Sequence, residues 1–130
     1  MKYLLSLFVD ESGRADMTPE EGQAVMARWD AYTQETRETG AFLGGEGLQP
    51  SETATTVRVT SGTPEITDGP FAETKEQLGG FYLLECKDLD EAIAWAKKIP
   101  FEDGSIEVRP VMDYDAAGSQ EHTSSEVTAS

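Results

Sequence analysis

Residues 81–112 read FYLLECKDLD EAIAWAKKIP FEDGSIEVRP VM: an apolar run, a capped amphipathic segment and a second apolar run. Phe81 to Cys86 has the composition of a strand. Asp88-Leu89-Asp90-Glu91 places an N-cap carboxylate three residues ahead of an acid, which starts a helix. Leu89, Ala92, Ile93, Ala96 and Ile99 then recur at helical spacing and form its apolar stripe. Lys97 and Lys98 fall in the last turn, where they complement the helix dipole, and Pro100 stops the helix. Ile106 to Met112 predicts a final strand, and Pro110 marks it as an edge, a bulge or an irregular end.

The N-terminal half carries the same punctuation. Lys2 to Val9 predicts a strand buried on at least one face. Thr18-Pro19-Glu20-Glu21 combines an N-cap threonine, a proline at the first helical position and a glutamate at the third, a capping-box pattern. Val25, Met26, Trp29, Tyr32 and Thr36 follow at helical spacing, and Gly40 suits a left-handed cap. Trp29 and Tyr32 are expected to pack on a sheet. Phe42 to Gln49 contains Gly44, Gly45 and Gly47, which weaken a strand but allow a close backbone approach. Ala54 to Thr60 alternates Val57 and Val59 with Thr56, Arg58 and Thr60, and Glu65 to Thr67 can pair with it across Ser61-Gly62. Asp68 to Gly80 reads as a loop. The order is strand, helix, hairpin region, strand, helix, strand. It predicts an α+β, ferredoxin-like βαββαβ domain with an extra β-hairpin. One face of its sheet lacks helices, and burial against a second copy would give a symmetric dimer.

Composition limits the partners. The 130 residues carry 10 Lys plus Arg and 25 Asp plus Glu, a formal charge of −15. Such a chain repels phosphate backbones and anionic lipid, so neither nucleic acid nor a membrane surface is an expected partner. Cys86 is the one cysteine and His122 the one histidine, so no zinc-ligand set exists and neither a metal nor a cofactor is expected. A reducing cytoplasm fits this cysteine usage. The apolar run Tyr3 to Val9 is too short to span a bilayer and lacks a small-residue cleavage site. Residues 1–112 form one expected domain, and 113–130, acidic and rich in Ser, Thr and Ala, an expected disordered tail.

The segment Thr67-Asp68-Gly69-Pro70-Phe71-Ala72-Glu73-Thr74-Lys75-Glu76-Gln77-Leu78-Gly79-Gly80-Phe81-Tyr82 resembles the signature of the DGPF group of YCII-related proteins. Gly44-Gly45-Glu46-Gly47-Leu48-Gln49-Pro50, Ala54-Thr55-Thr56-Val57-Arg58 and Ile106-Glu107-Val108-Arg109-Pro110-Val111 extend the likeness over residues 1–112. The resemblance implies a ferredoxin-like fold dimerised into an α+β barrel with a cleft. A related branch includes a chloromuconolactone dehalogenase, and DGPF members are often encoded beside extracytoplasmic-function sigma factors. The His-Asp pair proposed as an active site elsewhere in the family has no counterpart, because His122 lies in the tail.

The residues leave these readings open. Asp68-Gly69-Pro70 is a turn sequence, with Asp68 either its cap or a general base at the mouth of a cleft. Glu46, Tyr82, Arg109 and Arg58 are candidate ligand-binding residues, although a salt bridge is the plainer role for either arginine. Phe71 is expected to anchor the loop by burial. Gly44-Gly45-Glu46-Gly47 lacks the Lys-Ser/Thr ending of a P-loop, which argues against a nucleotide site. Cys86 reads as a buried small residue. Three functions follow: a dimeric small-molecule-binding protein or cofactor-independent enzyme, a regulatory module acting with a sigma factor, or a bare dimerisation module.

Overall fold

The computed structural model of the chain describes residues 1–12 and 17–114. The elements run β1 (Lys2–Asp10), α1 (Pro19–Glu38), β2 (Phe42–Gly47), β3 (Thr55–Thr60), β4 (Thr63–Asp68), β5 (Glu76–Glu85), α2 (Leu89–Lys97) and β6 (Ser105–Pro110). A 3-10 turn, Ser51–Thr53, lies between β2 and β3. Four strands form one sheet in the order β2-β5-β1-β6, and β3 and β4 pair separately. All neighbours in the larger sheet are antiparallel. This α+β arrangement is compatible with a ferredoxin-like fold into which the β3–β4 hairpin has been inserted.

Local chemistry explains the helix limits. At the start of α1, Thr18 Oγ1 accepts from the Glu21 amide at 3.1 Å while Glu21 Oε1 accepts from the Thr18 amide at 2.8 Å. This reciprocal pair satisfies two donors that a helix end would otherwise leave open. At the other end Gly40 takes a φ of +81°, and the Ala41 amide donates to Thr36 O at 2.9 Å. Those features close a Schellman cap, which favours glycine because a Cβ strains at this φ. Asp88 Oδ1 caps α2 by accepting from the Glu91 amide at 2.9 Å.

Both helices serve one face of the sheet. Tyr3, Leu5 and Leu7 of β1 and Tyr82 and Leu84 of β5 point toward them and are buried. Tyr32 crosses between the helices, its hydroxyl donating to Trp95 O at 3.0 Å. Trp29 stacks nearly parallel to Tyr82 at 6.4 Å and meets Phe101 edge-on at 5.3 Å. Trp29 and Tyr32 therefore pack on the sheet as expected.

Several expectations need correction. The strand expected at Phe81 begins five residues earlier, at Glu76. Gly79 and Gly80 belong to it because space is lacking: a Cβ on Gly80 would lie 2.8 Å from Glu46 O, and one on Gly79 would lie 2.9 Å from Val9 Cγ2. The register with β1 shifts here, pairing Leu7 with Gly80 but Phe8 with Leu78. In the helix stripes Met26 and Leu89 are exposed, and Trp95 is buried instead. Phe71 does not bury its loop; it is 75% exposed.

The hairpin turns through Ser61 and Gly62, both at positive φ, as a two-residue turn matched to strand twist requires. Its register pairs Val57 with Ile66, Val59 with Pro64 and Arg58 with Glu65. Residues opposite one another share a face, so Val57, Val59, Pro64 and Ile66 lie together on one face, with Thr55 and Asp68 at its root, and the other face is polar.

Candidate functional site

The face of the sheet turned away from the helices supplies the candidate surface. Register places Leu4 opposite Leu83, Ser6 opposite Phe81 and Phe8 opposite Leu78 along the central strands. On the outer strands Glu46 lies opposite Phe81, Glu107 opposite Ser6 and Arg109 opposite Leu4. The face thus has an apolar middle with charge at both edges. β1 is apolar on alternate residues of both faces, the pattern of a strand covered on two sides.

At one corner of this face a pocket of about 670 Å³ opens. Phe8 and Leu78 form its floor, Leu48 and Pro50 one wall, and Pro70 and Phe71 the other. The walls are held by specific bonds. Glu11 accepts from the Ser51 amide at 2.9 Å and from Ser51 Oγ at 2.5 Å, tying the end of β1 to the 3-10 turn. Gln77 Nε2 donates to Ala72 O at 2.8 Å and to Thr74 O at 3.0 Å, bracing the loop before β5. The Gly69 amide donates to Ala54 O at 2.7 Å, and Thr56 Oγ1 donates to Gly69 O at 2.7 Å. Gly69 has a φ of +112°, which a side chain would strain. Among the described lining residues Glu76 is the one ionisable group, and its carboxylate accepts from Ser105 Oγ at 2.7 Å.

A second, more polar depression of about 410 Å³ adjoins it, lined by Asp10, Glu11, Ser51, Glu73 and Lys75 among others. Hydrogen bonds from Ser12 hold the Asp10 carboxyl below its usual range.

The five site residues singled out from the sequence do not converge. Asp68 ends β4 opposite Thr55 and is exposed; its neighbour Pro70 lines the pocket, but Asp68 does not. Arg58 lies on the polar face of the hairpin with its guanidinium 5.6 Å from the centre of the Phe71 ring. Glu46 and Arg109 share the open face but lie on its two outer strands, at least about 14 Å apart at normal strand spacing. Arg109 Nη2 donates to Glu107 at 2.6 Å, an ion pair between residues two apart on β6. Tyr82 is buried on the opposite face, its hydroxyl 2.6 Å from Thr33 Oγ1. Cys86 is buried as expected, and burial pushes its thiol pKa up. Burial likewise drives the Tyr32 phenol far above its ordinary value, reinforced by Tyr82. His122 and residues 115–130 of the expected tail lie outside the described residues.

A family model described as the YCII-related domain matches residues 1–115. An uncharacterized protein of Rhizobium meliloti (strain 1021) is 39% identical over 117 residues, covering 88% of this chain and 94% of the relative.

Proposed function

The chain belongs to the YCII-related family, and on that premise we propose that it binds a small, mostly apolar, neutral or cationic molecule in the corner pocket, working as a dimer. The observation that carries this reading is the pocket itself. At about 670 Å³ it falls within the ordinary range for small-molecule sites, and its floor and walls are apolar. Glu76, as the one ionisable lining group, and the net charge of −15 both disfavour an anion. The bonds from Glu11, Gln77 and Gly69 preform the walls, so a ligand need not order them. The apolar middle of the open sheet face, over which neither α1 nor α2 lies, supports its closure by a second copy.

The test is titration of the full chain with N-phenyl-1-naphthylamine, an uncharged apolar dye. Saturable fluorescence enhancement at one site per chain, lost in Ala72→Trp, is the expected result. No saturable binding, or binding retained in Ala72→Trp with native circular dichroism, refutes it.

A further inference from the structure

The β3–β4 hairpin presents an apolar face that no other described residue covers. Val57, Val59 and Ile66 are 56%, 62% and 74% exposed, and Pro64 is exposed beside them. A two-stranded hairpin in water is marginal by itself. This one has six cross-strand pairs, a two-residue turn at its tip and a root fixed by the Gly69 and Thr56 bonds. Such regularity holds the apolar face in a set orientation.

We infer that the hairpin is an arm that docks its Val57–Val59–Pro64–Ile66 face onto the open sheet face of a second copy. The proposal rests on the dimer part of the reading above and names the element that crosses to the partner.

Three observations select a second copy as the occupant. First, the described residues of each chain present two uncovered apolar surfaces, the arm and the middle of the open face. A two-fold axis lets each arm meet the other copy's sheet, so both are covered twice without leaving an unfilled site. Second, the area is adequate. The arm face exposes roughly 350 Å² of apolar surface; with the matching partner area, and doubled by symmetry, about 1,400 Å² is buried, within the range of stable interfaces. Third, charge confines the contact. Two copies at −15 each repel except where charge is missing. The arm's four apolar residues and the Leu4, Phe81 and Leu83 region are such places, with Glu46, Glu107 and Arg109 kept to the edges.

The experiment is sedimentation equilibrium on the full chain and on Ile66→Asp. Ile66 is outside the core, so the variant should keep native circular dichroism. The expected result is a wild-type dimer and a dimer Kd raised about 100-fold or more in Ile66→Asp, as for a central interface residue. A wild-type monomer at about 100 µM overturns this inference and the dimer reading, but leaves dye binding to decide the pocket. A dimer unchanged in Ile66→Asp overturns the arm alone. A second measurement locates the contact: chains carrying Ile66→Cys and Leu83→Cys, mixed and treated with a short bismaleimide, should form mixed cross-linked dimers. Cross-links confined to Ile66→Cys chains place arm against arm and refute docking on the sheet.

Discussion

Gly45 and Gly47 lie two residues apart in β2, on the same side of the sheet, yet their surroundings differ sharply. A Cβ on Gly45 would lie 2.8 Å from Phe81 O, 3.0 Å from Tyr82 Cδ1 and 3.5 Å from Tyr82 Cα. A Cβ on Gly47 would meet nothing within 4 Å. Neither glycine has a positive φ, so the difference isolates contact from backbone strain. In Gly45→Ala a carbonyl fixed in the β2–β5 ladder must retreat by about half an ångström, stretching ladder hydrogen bonds. Overpacking of this kind costs about 1–3 kcal/mol, and the lower part of that range applies because β2 is an edge strand and can yield. Gly47→Ala meets no obstacle and reduces the freedom of the unfolded chain, a gain of about 0.5 kcal/mol. The two alanines should therefore differ by about 2 kcal/mol in urea unfolding at matched protein concentration, with unchanged m-values. In melting temperature that is roughly 8 °C or more for a domain of this size. Equal stability of the two variants, or a Gly45→Ala more stable than wild type, would show that the Phe81 carbonyl does not crowd position 45.

Other outcomes follow from single contacts. Thr18→Ala should lose about 1 kcal/mol by removing the acceptor for the Glu21 amide, while Thr18→Ser keeps it; thermal melts distinguish them. Hydrogen bonds from Thr18 lower the Glu21 pKa from 4.5, so its carboxylate's contribution is present above that pH and lost as pH falls through the folded value. The melting difference between wild type and Glu21→Gln should accordingly be present at pH 7 and shrink toward zero on acidification below pH 4.5. Cys86, buried and with its thiol pKa raised, should react with 5,5′-dithiobis(2-nitrobenzoate) far more slowly in the native chain than in urea; equal rates would contradict its burial. Since like charges oppose association, raising NaCl from about 0.05 to about 0.5 M should tighten the proposed dimer in sedimentation, and weakening would count against an apolar interface.

What was legible in the sequence is what short-range chemistry decides. Thr18 with Glu21, Asp88 with Glu91, Gly40 and Ser61-Gly62 each act within a few residues, and the structure places caps and a hairpin turn there. Pro110 likewise falls on β6, an edge strand. Gly79-Gly80 misled for the opposite reason. Glycines that usually interrupt a strand are required in β5 by Val9 and Glu46, residues distant in sequence. Trp95 stands one position from Ala96 in the expected stripe, and a helix of nine residues leaves the buried arc free to rotate that far. The pocket could not be read at all, since it joins Phe8, residues 48–54 and residues 70–78, which local patterns do not connect. The one available hint was β1, apolar on both faces where a single layer of helices needs only one.

The Asp68-Gly69-Pro70-Phe71 sequence gains a physical role from this geometry that charge on Asp68 alone would not supply. Asp68 closes the β3–β4 ladder opposite Thr55. Gly69, at a φ of +112°, then turns the chain out of the hairpin while its amide and carbonyl are both bonded to the first residues of that hairpin's own arm, Ala54 and Thr56. Pro70 and Phe71, the next two residues, are pocket wall. Arg58 lies over the Phe71 ring and so links the arm to that wall a second time. Four consecutive residues thus fix the direction of the arm and the position of the wall together. A change that tilts the arm moves the wall with it, and a molecule seated against Phe71 bears on the arm's orientation. Were the proposed ligand and the proposed second copy both to bind, this turn would couple the two events, and by linkage each would strengthen or weaken the other by the same factor.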